Sequence, residues 1–155
     1  MRPGVRIACD VGSVRVGLAR CDGLGMLAVP LDAAPAGEPA VEAVAALVDE
    51  WDAIEVYVGL PLHLSGAEGA SAEMARQWAG RLVERVAVPV RLIDERLSTV
   101  QAQRALQSAG RTTRESRSRI DSASAVIVLQ SVLDQEQSTG QVPGEQVEGS
   151  GREPA

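Results

Sequence analysis

The first thirty residues leave no room for a helix. VRIACDV, VRVGLARC and GMLAVPL are short apolar segments, and the linkers that separate them are GS and DGLG. Linkers this short return a strand beside the one before it, so residues 4 to 31 are expected to form a three-stranded antiparallel meander. The period then changes. In PAVEAVAALVDEW, Val41, Val44, Val48 and Trp51 recur at helical spacing, with Pro39 suited to a first helical turn. AIEVYVGLP is a compact apolar run ended by Gly59 and Pro61, the pattern of a strand buried on both faces. Met74, Trp78 and Leu82 mark one face of a helix expected over residues 68 to 87, and VPVRLI supplies a fifth strand. Ser98 with Gln101 resembles a capping box, opening a helix that stops before Gly110. IDSASAVIVLQSVLDQ, residues 120 to 135, reads as a final helix that is apolar nearly all the way round.

A meander followed by helix-separated strands implies an α/β domain: a mixed five-stranded sheet, antiparallel through strands 1 to 3, then parallel-type strands 4 and 5, flanked by helices. The 155 residues suffice for one such domain, expected over residues 1–134. Because the chain has no Phe, one Tyr and two Trp, its core must be built from Val, Leu, Ile and Ala. After Gln135 large apolar residues almost vanish, and residues 135–155 are expected to be a disordered acidic tail. No apolar run approaches the roughly 20 residues of a membrane span, and the N-terminus lacks a long apolar signal core. A cytoplasmic protein is expected, with Cys9 and Cys21 as free buried thiols.

The net charge of −6 argues against a polyanionic partner only until its distribution is read. Residues 135–155 carry Glu136, Glu145, Glu148 and Glu153 against Arg152, which is half of the excess. Upstream, Arg111, Arg114, Arg117 and Arg119 form a basic block in a Ser/Thr-rich segment, RTTRESRSR, whose guanidinium and hydroxyl groups suit phosphate oxygens. A solvated charged loop is the other reading of that block. No aromatic stacking platform accompanies it, so backbone and shape, not bases, would be read.

Acidic residues stand at the ends of three elements. Asp10 closes the first strand, Asp94 and Glu95 close the fifth, and Asp121 opens the last helix, with Ser124, Ala125 and Val128 expected on its face. Taken singly, each has an ordinary reading as a turn residue, a loop charge or a helix-dipole partner. Brought together, they would repel unless a divalent cation neutralised them. Oxygen ligands on rigid elements suit Mg²⁺ or Mn²⁺, and two such ions support phosphodiester hydrolysis.

In order along the chain, DVGSVRVGLA at 10–19, VGLPLHLSG at 58–66, DERLST at 94–99 and DSASAVIVL at 121–129 resemble one family. It is the YqgF/RuvX family of pre-16S rRNA nucleases, also described as Holliday junction resolvases, with an RNase H-like fold. The resemblance covers about residues 4 to 134. It implies a metal-dependent endonuclease in which Asp10, Glu95 and Asp121 are the catalytic carboxylates and hold one or two Mg²⁺ or Mn²⁺ ions. Arg15 matches a basic position of the first motif. Arg15, Arg96 and the block Arg111, Arg114, Arg117 and Arg119 are expected to contact nucleic acid. Asp94 and Arg96, on the face opposite Glu95 if the strand continues, are expected to support the site or touch phosphate.

The implied partner is nucleic acid, either pre-rRNA or branched DNA, bound by a monomer or a homodimer. The implied process is 5′-end maturation of pre-16S rRNA, with junction resolution in DNA recombination as the alternative. His63 and Ser65 depart from the Asn and Asp or Asn expected there, and His63, the sole histidine, reads as an ordinary loop residue. Two rivals remain. The first motif also resembles the phosphate loop of actin-like ATPases, which need a second domain; a non-catalytic RNA-binding assembly factor would need no carboxylate triad.

Overall fold

In the computed structural model, which describes residues 2–97 and 121–149, the first strand occupies the middle of the sheet because both of its faces are apolar. In β1 (Arg6–Val11), Ile7 and Cys9 point to one side and Ala8 to the other, and all three are fully buried. β2 (Arg15–Cys21) and β3 (Ala28–Pro35) complete the antiparallel meander on one flank. On the other flank β4 (Glu55–Leu60) pairs parallel with β1, and β5 (Val90–Asp94) pairs parallel with β4. Each parallel step is bridged by a helix: α1 (Glu38–Trp51) precedes β4 and α2 (Ala70–Val83) precedes β5. The mixed α/β architecture is the one expected.

α1 and α2 cover the Ile7/Cys9 side, where Val16, Leu18, Val41, Val44, Val56, Val58, Trp78 and Leu82 form one core. A last helix, α3 (Ala123–Thr139), covers the other side over Ala8, Ala19, Tyr57 and Ile93 with Val128, Leu129, Val132 and Leu133. Both thiols are free and buried, and burial pushes each above the ordinary range. Among the described residues no helix is long and apolar enough to cross a membrane.

Four expectations need correction. The sheet has six strands, in the order β3-β2-β1-β4-β5-β6, because β6 (Glu145–Gln146) pairs antiparallel with β5. α2 is shorter than residues 68 to 87, since Glu68 is held in a bridge to Leu62 and Gly69 is extended. The ordered chain also continues past Gln135, so the boundary of a disordered tail does not fall there. α3 starts three residues later than expected and runs on to Thr139, closed by Gly140 in the left-handed region. Apolar periodicity stops at Leu133, but the buried face continues with a charge. Glu136 accepts bonds from Arg2 Nη2 at 2.7 Å and Arg6 Nη2 at 2.9 Å, and Arg6 is fully buried. Glu55, also buried, receives Arg2 at 2.7 Å, Arg91 at 2.8 Å and the Tyr57 hydroxyl at 2.5 Å. This ionic cluster lies at the start of β1 and β4, the end of the sheet remote from Asp10. The helix expected from Ser98 to Gly110 lies outside the described residues, as do residues 150–155.

Candidate active site

Alternation along β1 puts Asp10 on the α3 side of the sheet, two residues beyond Ala8. Its antiparallel partner across the ladder is Gly17. On the other side, Cys9 pairs with Val58, which brings Gly59 beside Asp10. A row Gly17, Asp10, Gly59 therefore crosses three strands, with a carboxylate between two residues that have no side chain. Each glycine admits one further acid. A Cβ at Gly17 would strike the carbonyl oxygen of Asp121 and stand 3.0 Å from the Cα of Ser122. A Cβ at Gly59 would stand 2.5 Å from Glu95 Oε1. Glycine inside a strand marks such close approaches, and it was the signal in RVGLARC and EVYVGL that a reading of acids alone passes over.

Ser122 fixes Asp121 in place. The β2–β3 ladder shifts register between Val16 and Leu18. At that irregularity the Ser122 hydroxyl accepts the Leu18 N–H at 3.0 Å and donates to the Leu31 carbonyl at 2.6 Å, fully buried. α3 is thus stitched to β2 and β3 at the residue that precedes it. Asp121 lies in the turn before the helix, so it does not share a helical face with Ser124, Ala125 and Val128 as expected; Ser124 is exposed. Asp10, Asp121 and Arg15 line one open cleft of about 390 Å³ together with Gly12, Ser13, Val14 and Gly17.

β5 ends at Asp94, and Glu95–Leu97 form one 3₁₀ turn. Glu95 reaches over Gly59 to Asp10. Burial raises its carboxyl above the ordinary range, and the charge and contact of Asp10 raise it further, followed by the charge of Asp94. Among the described residues, Glu95 Oε1 is buried without a hydrogen-bond partner. Asp94 and Arg96 do not join this pair. Arg96 grips Asp94 through Nη2 at 2.7 Å, Nε at 3.0 Å and its backbone N–H at 2.9 Å, and donates Nη1 to the Leu64 carbonyl at 3.2 Å. It braces the loop that follows β4, which bears His63 packed against Gly69 and the fully protruding Leu64.

The gathering is two plus one. Asp10 and Glu95 touch, while Asp121 faces the same cleft with its carboxylate on Arg15 Nη1 at 2.6 Å. Among the described residues no three acid, histidine or cysteine groups form a finished metal-ligand set. What stands there, among the described residues, is an acid pair with an unpartnered buried oxygen beside a third acid held by the Arg15 guanidinium. A divalent cation that prefers oxygen ligands and retains waters fits that donor set. Arg111, Arg114, Arg117 and Arg119 lie outside the described residues.

A mixed sheet with a central first strand, an antiparallel meander and acids at strand and helix ends defines an RNase H-like α/β domain. The fold matches RuvC of Thermus thermophilus, solved in complex with a Holliday junction substrate, with a TM-score of 0.63 at 16% identity over 92% of this chain and 99% of that one. The sequence pattern of the RuvX family, described as Holliday junction resolvase, matches residues 4–135, and the chain belongs to that family. Curated relatives include one from Kineococcus radiotolerans, 49% identical over 96% of this chain and 81% of its own, and one from Thermobifida fusca, 48% identical over 97% and 99%. Both are named as candidate pre-16S rRNA nucleases.

Proposed function

We propose that this chain, a nuclease by family, is a divalent-metal-dependent endonuclease that matures the 5′ end of pre-16S rRNA in the cytoplasm. The single observation that carries the metal dependence is the contact of Glu95 with Asp10, beside a buried Glu95 oxygen that has no hydrogen-bond partner among the described residues. Two acids pressed together from β1 and the end of β5, across the intervening β4, cost stability unless a cation joins them. Asp10, Glu95 and Asp121 would hold Mg²⁺ or Mn²⁺, which when bound lowers the pKa of water and offsets charge on the leaving oxygen.

The chain's own residues supply position. The sheet fixes the Asp10 carboxylate between two glycines, the 3₁₀ turn carries Glu95 over one of them, and the Ser122 anchor sets Asp121 over the other. Arg15 stands at the mouth of the cleft, where a phosphate would meet a guanidinium before reaching the acids. Arg96 holds the loop beside Glu95, and the block Arg111, Arg114, Arg117 and Arg119 supplies further cations for the strand. The relatives' names favour precursor rRNA as substrate, and the family's description favours a second reading, a four-way DNA junction.

One assay separates them: purified protein with Mn²⁺ on precursor 16S rRNA, on plain single strands and on four-way junctions. Cleavage of the precursor alone supports the first reading; cleavage of junctions alone replaces it with the second. Equal cleavage by Asp121→Asn in excess EDTA would overturn the mechanism under either substrate.

A further inference from the structure

Asp121 does not wait with a bare carboxylate: its Oδ2 takes Arg15 Nη1 at 2.6 Å across 106 residues of sequence. The cleft holds Asp10 and Asp121 with Glu95 behind them, and Arg15 is the basic residue among its described lining. Asp94, the remaining nearby acid, is already engaged by Arg96. Among the described residues, three acids thus face one guanidinium, and that guanidinium is bonded to the acid left out of the Asp10–Glu95 contact.

The pair is built to exchange. The Arg15 and Asp121 side chains are 53% and 40% exposed, so water is present to replace either partner, unlike the buried arginine–glutamate cluster at the other end of the sheet. The backbones on both sides are fixed. Gly12 donates to the Arg15 carbonyl at 2.9 Å, Ala36 donates to the Val14 carbonyl at 2.9 Å, and Ser122 is anchored to Leu18 and Leu31. With both backbones held, release of this ion pair needs only rotation of the Arg15 side chain about its Cα.

We propose that Arg15 is a resident counter-cation that occupies Asp121 until a divalent ion takes its place, and is thereby released to grip the phosphate of the incoming strand. The proposal rests on the metal-site reading above and adds a consequence that reading does not contain: metal and Arg15 compete for one carboxylate. Metal loading and substrate capture are then coupled through a single side chain. Without metal, Arg15 is sequestered; with metal, one cation replaces another at Asp121 and a free guanidinium appears at the cleft mouth.

The test is Mn²⁺ affinity, read from the electron paramagnetic resonance of free Mn²⁺, for the wild-type chain, Arg15→Gln, Asp121→Asn and the double variant. Removing a half-exposed competitor should tighten Mn²⁺ binding by about two- to fivefold. That gain should vanish in the Asp121→Asn background. Unchanged or weaker binding by Arg15→Gln would overturn the proposal. So would an equal gain in both backgrounds, which would reveal a general field of the arginine on the cleft and no bond exchange. If neither the wild type nor Arg15→Gln binds Mn²⁺, the metal site itself is wrong and the proposal falls with it. In the wild-type chain, Mg²⁺ should also shift the ¹⁵Nε–H resonance of Arg15; a resonance indifferent to saturating Mg²⁺ would overturn the exchange independently.

Discussion

The Asp121 carbonyl oxygen rests on Gly17, the residue paired with Asp10 across the β1–β2 ladder. Two acids separated by 111 positions in the chain are thus held apart by the thickness of one glycine. Neither neighbour yields easily, because both are backbone and Ser122 is pinned by two hydrogen bonds. Gly17→Ala should therefore push the start of α3 off the sheet. A stability loss of about 1–3 kcal/mol is expected, with a larger functional loss of about 100-fold in kcat/KM from misplacing Asp121. Thermal melts beside cleavage kinetics would check this, and full turnover by the folded variant would contradict it.

Ser122→Ala tests the same anchor from the other side. It strands the buried Leu18 N–H and takes a donor from the half-buried Leu31 carbonyl. About 2–3 kcal/mol of stability should be lost, more than for an exposed cap. Urea unfolding gives the value. Ser122→Thr, which keeps the hydroxyl, should recover part of it.

The Asp10–Glu95 contact predicts a trade between stability and function. Glu95→Gln removes one charge of a repelling pair and puts an N–H within reach of Asp10, so the metal-free protein should gain roughly 0.5–2 kcal/mol. The same variant should lose the rise in Tm that Mn²⁺ gives the wild type through binding to the folded state. A wild-type Mn²⁺ response in Glu95→Gln would remove Glu95 from the ligand set.

Acid stability should be governed at the far end of the sheet. Burial alone would raise the Glu136 carboxyl, but the Arg2 side-chain and backbone bonds and the charges of Arg6 and Arg2 outweigh it and lower it to about 2. Glu55 is shifted the same way: burial opposes, and Arg2, Tyr57 and Arg91 prevail. A carboxyl depressed in the folded state stabilises fully above its unfolded value and loses that contribution as pH falls through the folded one. Stability should hold above about pH 4.5 and drop between there and about pH 2. Glu136→Gln should flatten that slope while costing on the order of 3–5 kcal/mol at neutral pH, since Arg6 is left buried and unpaired. Urea midpoints from pH 7 down to pH 3 would show both effects.

Much of the fold was legible because period and linker length are local quantities. GS and DGLG force neighbours to pair, and the switch from alternation to helical spacing at Val41 announces the crossover. Ends were less legible. Glu136 looked like tail because a reading tuned to apolar residues stops at Leu133, while the arginines that bury it come from the first six positions. In the same way, residues 145–146 look featureless until β5 offers them an edge.

The sequence by itself determined the candidates for the site: Asp10, Glu95 and Asp121 stand at element ends, within motifs ordered as in the RuvX family. Only the tertiary structure decided how they are held. Which acid touches Asp10, and which is held by Arg15, depends on pleat direction, a ladder irregularity filled by Ser122 and two missing side chains at Gly17 and Gly59. Those are relations between strands distant along the chain, and burial and steric exclusion act on neighbours in space, whatever their separation in sequence.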